Sequence, residues 1–108
     1  MISIPLIGQT TDIRSHQNEI SVYEGLNVVK RFNLPTGAEF IDWNSDCILV
    51  RMGSDIKTID HTGKQISSLN IGNRKVIRMT STEIVIKEDN NLNYYNSHFR
   101  SIRKVPIL

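Results

Sequence analysis

The chain repeats itself about every 36 residues, and this period constrains its fold more than any other feature. A fixed period in this range is typical of repeat architectures, in which each unit packs against its neighbours. Three units, residues 1–35, 36–72 and 73–108, account for the whole chain as a single repeat domain. The aligned segments are "EFIDW" (39–43) with "KVIRM" (75–79), "CILVRM" (47–52) with "EIVIKE" (83–88), and "EISVYE" (19–24) with "DIKTID" (55–60) and "NLNYYN" (91–96).

Apolar residues occupy matching columns in the three units. In the last part of unit one the alignment with the other two units shifts by one residue. We place this slip in a turn, because a missing residue costs least there. The columns are Ile4–Phe40–Val76, Ile7–Trp43–Met79, Ile13–Leu49–Val85, Ile20–Ile56–Leu92, Tyr23–Ile59–Tyr95, Val29–Ile66–Ile102, Phe32–Leu69–Val105 and Leu34–Ile71–Ile107.

Within each unit the apolar residues alternate or form short Ile- and Val-rich runs, which favours β-strands. Short polar breaks such as "HTGK" and "EDNN" separate these runs and leave room only for hairpins, so adjacent strands are expected to be antiparallel. No stretch keeps a helical period. The sequence therefore predicts an all-β protein made of three four-stranded antiparallel meander repeats.

Three architectures satisfy this pattern: a β-propeller in which each unit is a blade, a β-trefoil, and a sandwich or barrel that happens to repeat. The consecutive tight hairpins favour blades, whereas the count of three favours the trefoil. A trefoil would indicate a carbohydrate-binding, lectin-like protein with an aromatic platform in each unit. Trp43 is the only tryptophan, and its column favours a core position between units.

The third strands end on Tyr23–Glu24, Ile59–Asp60 and Tyr95–Asn96, and the second of these runs into a turn ending Gly63–Lys64. This pattern resembles the blades of WD-repeat proteins, in which a large apolar residue is followed by an acid before such a turn. The resemblance covers nearly the whole chain, although the Trp-Asp and Gly-His pairs themselves are absent, so these are degenerate WD-like blades. It implies a propeller-like scaffold for protein–protein interaction.

Closed propellers have roughly four to eight blades, so three blades leave a ring incomplete. The chain is expected to be half of a six-bladed ring closed by an identical chain about a two-fold axis. The alternatives are docking on another protein's blades, or a fragment of a longer propeller.

Composition narrows the function classes. The 39% hydrophobic and 22% charged residues are typical of a globular domain, and a net charge of +2 gives no strong field for nucleic acid or a membrane. The single cysteine, Cys47, excludes an internal disulfide and is expected to be buried and reduced. No leader or spanning segment is recognisable, so a cytoplasmic location is expected.

No linear motif indicates catalysis, a metal or a cofactor, so the sequence predicts a non-enzymatic binding or assembly module, or a structural subunit of a larger complex. Candidate contact residues come from position alone. Tyr94 is expected to be exposed because its neighbour Tyr95 matches a core column and adjacent strand residues face opposite sides. The other candidates flank Trp43, lie in equivalent turns, or form part of a basic series on the last strands: Asp42 and Asp46, His61 and His98, and Arg100 and Arg103.

Overall fold

A computed structural model describes residues 11–107. Eleven strands and no helix make up this part of the chain. The strands are β1 (Thr11–His16), β2 (Glu19–Glu24), β3 (Asn27–Asn33), β4 (Glu39–Trp43), β5 (Ile48–Met52), β6 (Asp55–Ile59), β7 (Gln65–Asn70), β8 (Lys75–Met79), β9 (Ile84–Glu88), β10 (Asn91–Tyr95) and β11 (Ser101–Pro106).

The strands form three separate antiparallel sheets, each made of strands that are consecutive in sequence. Sheet I has the order β1-β2-β3, sheet II β4-β5-β6-β7 and sheet III β8-β9-β10-β11. The predicted four-stranded meander is therefore confirmed for sheets II and III. The strand predicted around Ile4 and Ile7, which would be the first of unit one, lies outside the described residues.

The turns repeat as faithfully as the strands. In sheet II the Asp60 amide donates to the Lys64 carbonyl at 2.8 Å, and in sheet III the Asn96 amide donates to the Arg100 carbonyl at 3.0 Å. Sheet I connects its last two strands by the shorter turn Gly25–Leu26. The one-residue slip predicted from the sequence thus falls in a turn.

The strand registers carry bulges at repeated positions. The pairing shifts between Val22 and Tyr23, between Thr58 and Ile59, and between Tyr94 and Tyr95. A bulge leaves one residue unpaired and increases the local twist of the strand. The last strand of each sheet, β3, β7 or β11, therefore twists more strongly at the same position in all three units.

Sheets I and II pack face to face through alternate residues. Ile13, Ile20 and Val22 of sheet I share one buried cluster with Ile48, Val50 and Ile59 of sheet II, and the half-buried Trp43 packs against it as predicted. We call the face of sheet II that carries Ile48 and Val50 its front face, and the opposite face, which carries Leu49 and Ile56, its back face.

The same arrangement recurs between sheets II and III. Leu49 and Ile56 on the back face of sheet II pack against Ile84 and Ile86 on the front face of sheet III. Cys47 lies in this cluster with no exposed surface, so its predicted burial is confirmed. The packing is head to tail, because the front face of each sheet covers the back face of the preceding one.

The first strands β4 and β8 are the closest approach between sheets II and III, whereas β3, β7 and β11 form the outer edges. The chain measures 54 × 32 × 19 Å, and its radius of gyration of 15.4 Å exceeds the roughly 13 Å of a compact domain of this length. The three sheets thus form a flat, elongated arrangement about as thick as one strand is long.

Candidate interaction surfaces

The turns at residues 43–46, 60–64, 79–82 and 96–99, which we call the convergent turns, lie at one end of the sheets. Hydrogen bonds connect these turns to the neighbouring sheet. The Ser45 amide donates to the Ser81 carbonyl at 3.1 Å, and the Thr58 hydroxyl donates to the Ser97 carbonyl at 2.6 Å. These bonds satisfy polar groups at the sheet ends and fix how each sheet sits on the next.

The two histidines proposed as contact residues occupy different environments in these turns. His61 is half-buried: its Nε2 lies 3.0 Å from the Asn44 carbonyl oxygen, and its ring packs edge-on against Trp43 with centroids 6.4 Å apart. His98 is exposed in the turn before β11, next to the exposed Arg100. His61 therefore stabilises the junction of two turns, while the side chains of His98 and Arg100 remain exposed.

The two proposed acids are exposed, and each interacts locally. Asp42 Oδ1 accepts a hydrogen bond of 2.8 Å from the Trp43 amide, and Asp46 lies in the β4–β5 turn, where its amide donates to Asn44 Oδ1 at 2.9 Å.

Within residues 11–107 no three His, Cys, Asp or Glu side chains are grouped closely enough to hold a metal ion.

The prediction that Tyr94 is exposed is wrong. Its side chain is only 7% exposed although it faces away from the Tyr95 side of the sheet. The Arg103 guanidinium lies 3.9 Å from the Tyr94 ring centroid, and Arg78 Nη2 donates to the Tyr94 hydroxyl at 3.2 Å. Long side chains from the two edge strands cover the ring, a possibility that strand alternation does not reveal.

Tyr94 belongs to the back face of sheet III, the last face of the stack. The strand registers place four cations and four uncharged residues on it, with no acid among them: Lys75, Arg78, Lys87 and Arg103, and Val85, Leu92, Tyr94 and Val105. Lys75 and Lys87 are directly opposite each other, which is unfavourable for like charges. Glu83, just before β9, forms a 3.5 Å ion pair with Arg103 on β11.

A polar network at the edge of the interface between sheets II and III was not foreseen from the sequence. Glu88 accepts hydrogen bonds from the Tyr95 hydroxyl at 2.6 Å and from Asn93 Nδ2 at 2.8 Å, and it pairs with Arg74. Asn93 in turn accepts a 2.6 Å bond from the Ser101 hydroxyl. The signal available in the sequence was the polar residue Asn93 between two apolar columns.

Burial and hydrogen bonding shift two ionisations in this network in opposite directions. Burial disfavours the Glu88 carboxylate, but hydrogen bonds from Tyr95, Asn93 and Arg74 outweigh burial and lower the Glu88 pKa. Burial, together with the hydrogen bond to Glu88, raises the pKa of Tyr95 to about 12. Near neutral pH the Glu88 carboxylate is therefore charged and the Tyr95 phenol is protonated. This arrangement stabilises the network and leaves it no proton to exchange.

A shallow pocket of about 270 Å³ lies beside this network and is lined by Asn73, Arg74, Lys75, Lys87 and Asp89. It is open, and its lining residues are polar or charged. Over residues 11–107 no helix is long and apolar enough to cross a membrane.

Comparison of the chain with protein-family models, with curated proteins and with solved structures gives no match in any of the three.

Proposed function

We propose that this protein is a non-enzymatic assembly module made of degenerate WD-like blades, which works by having its incomplete ring closed by an identical chain or by a protein partner. One observation carries the proposal. The back face of sheet III keeps the apolar columns that are covered by the next sheet elsewhere in the stack. Ile71, just after β7, lies in the cluster between sheets II and III and is 2% exposed, whereas its equivalent Ile107, just after β11, is 43% exposed.

The dimensions support a half-ring. Three sheets stacked in parallel at a spacing of about 10 Å would span roughly 30 Å, which is well short of the 54 Å length. The ratio of the 54 Å length to the 32 Å width is about 1.7, compared with a ratio of two for an ideal half-disc. The trefoil alternative receives less support, because the described strands form three separate sheets and no closed barrel.

The solution mass tests closure by an identical chain. Two chains of 12.3 kDa form a dimer of about 25 kDa, and we expect light scattering on a sizing column to give that mass at micromolar concentrations. The dimer fraction is expected to fall on dilution as mass action requires. A well-folded 12.3 kDa monomer at all concentrations would contradict self-closure and leave ring completion to a different protein.

A further inference from the structure

Two positions meet where neighbouring sheets pack: a turn residue of one sheet, which we call the knob, and a residue on the outer strand of the preceding sheet, which we call the seat. The turn before the outer strand of one sheet covers the outer strand of the preceding sheet. A methyl group on Gly63 of sheet II would lie 3.0 Å from Cγ of Phe32 in sheet I. Phe99, the equivalent of Gly63 in sheet III, packs into the cluster that contains Ile66 and Leu69 of sheet II.

At the seam between sheets I and II the smallest residue, Gly63, lies over the large Phe32 ring. At the seam between sheets II and III the large Phe99 packs into the cluster that contains Leu69, the equivalent of Phe32, and its ring lies edge-on to Tyr95.

Each end of the stack carries one half of this contact. In sheet I the knob position is Leu26, which is 98% exposed. In sheet III the seat position is Val105, which is 40% exposed beside Ile102 at 51%. Leu26 and Val105 are therefore the equivalents of Gly63 and Phe32, the two residues that meet at the seam between sheets I and II.

Resting on the proposed assembly function, we propose that Leu26 of one copy seats against Val105 of a second copy, so that the back face of sheet III receives the front face of sheet I. Two copies joined in this way form the contact twice and close a ring about a two-fold axis. Each contact covers on the order of 300 Å² in projection, the area of a face of four short strands. A closed ring forms this contact twice, and the second contact forms within the same assembly, so the two together bind far more firmly than one alone.

The charges favour this pairing over a back-to-back one. A dimer through two back faces would bring Lys75, Arg78, Lys87 and Arg103 of both copies together. Head-to-tail pairing instead places those cations against the face that carries Asp12 and Glu19 beside Arg14 and Arg31. A seam with this many charges is expected to weaken as salt rises.

Directed disulfide formation tests the seam. Chains carrying Leu26→Cys are mixed with mass-tagged chains carrying Val105→Cys and oxidised mildly. Both positions are exposed, so folding should tolerate the changes. Cys47 should stay unreactive, because it is fully buried and burial raises the pKa of its thiol to about 12. We expect the mixed disulfide to dominate, with each variant alone forming at least tenfold less dimer.

Two results would overturn the inference. One is that either variant alone crosslinks as fast as the mixture, which would indicate a different pairing of faces. The other is a 25 kDa unmodified chain whose variants never form the mixed disulfide. That second result would leave the proposed function standing, since assembly would then use another surface. An unmodified chain that stays monomeric would contradict self-assembly itself.

Aspartate substitutions provide a second readout. Leu26→Asp is expected to weaken dimerisation at least tenfold because it buries a carboxylate against the Val105 seat. Val29→Asp is the matched control, since Val29 is also exposed, on β3 of the same sheet, but does not lie at the knob position. Equal dissociation constants for the two variants would contradict the seam.

Discussion

Replacing Glu88 by glutamine is expected to lower the free energy of unfolding by about 3 kcal/mol, because it leaves the partly buried Arg74 without its anion. The Glu88 side chain is only 13% exposed and accepts bonds from Tyr95 and Asn93 as well. The amide group of a glutamine presents donors to groups that are themselves donors. Urea denaturation of the purified chain measures the loss.

Glu39→Gln is the matched control, because Glu39 lies exposed on β4. Its effect is expected to stay within about 0.5 kcal/mol, as is usual for exposed positions. If both variants lose the same stability, the Glu88 network contributes nothing specific to the interface between sheets II and III.

The Glu88 network also predicts the direction of the acid response. Because the Glu88 pKa is lowered in the folded state, its contribution is complete above the ordinary carboxyl pKa of 4.5 and is lost as the pH falls through the folded value. The stability difference between the native chain and Glu88→Gln should therefore shrink below about pH 4.5. Asp60 is also shifted downwards, mainly by its bond from Thr62, so part of the acid response should remain in the variant.

Gly63→Ala is expected to cost about 2–3 kcal/mol, since two unfavourable effects coincide at this position. Gly63 has a φ of +96°, and an added methyl group would lie 3.0 Å from the ring of Phe32. Strain in the backbone and crowding at the seam between sheets I and II therefore add together.

Gly53→Ala separates the two effects. Gly53 has a φ of +63°, but a methyl group there would meet no atom within 4 Å. Its cost should be limited to the backbone, about 1 kcal/mol. Thermal unfolding of both variants measures the difference, and equal losses would contradict the close contact between Gly63 and Phe32.

The sequence predicted the strands and turns well because the repeat supplies three readings of each position. Ile20, Ile56 and Leu92 share a column, so one ambiguous residue does not change the interpretation. The head-to-tail order of the faces could not be predicted from these columns. Alternation assigns residues to the two faces of a sheet, but it does not say which face packs against which neighbouring sheet.

The exposure of Tyr94 was predicted wrongly. Tyr94 was expected to be exposed because one of two adjacent strand residues faces outward, and it does so, but Arg78 and Arg103 cover it. The Glu88 network joins residues from three strands, β9, β10 and β11, and Arg74 from the linker between sheets II and III, and no single periodicity connects them. Long polar side chains that fold back on a neighbouring strand are invisible to a pattern of apolar residues.

We propose that two half-rings close head to tail, and small-angle X-ray scattering tests this closure most directly. A closed ring doubles the mass while its largest dimension stays at roughly 60 Å, because each half-disc contributes its width rather than its 54 Å length. That combination is the expected result. A doubled mass with a largest dimension of roughly 90 Å or more would instead indicate an open, extended assembly and would contradict ring closure.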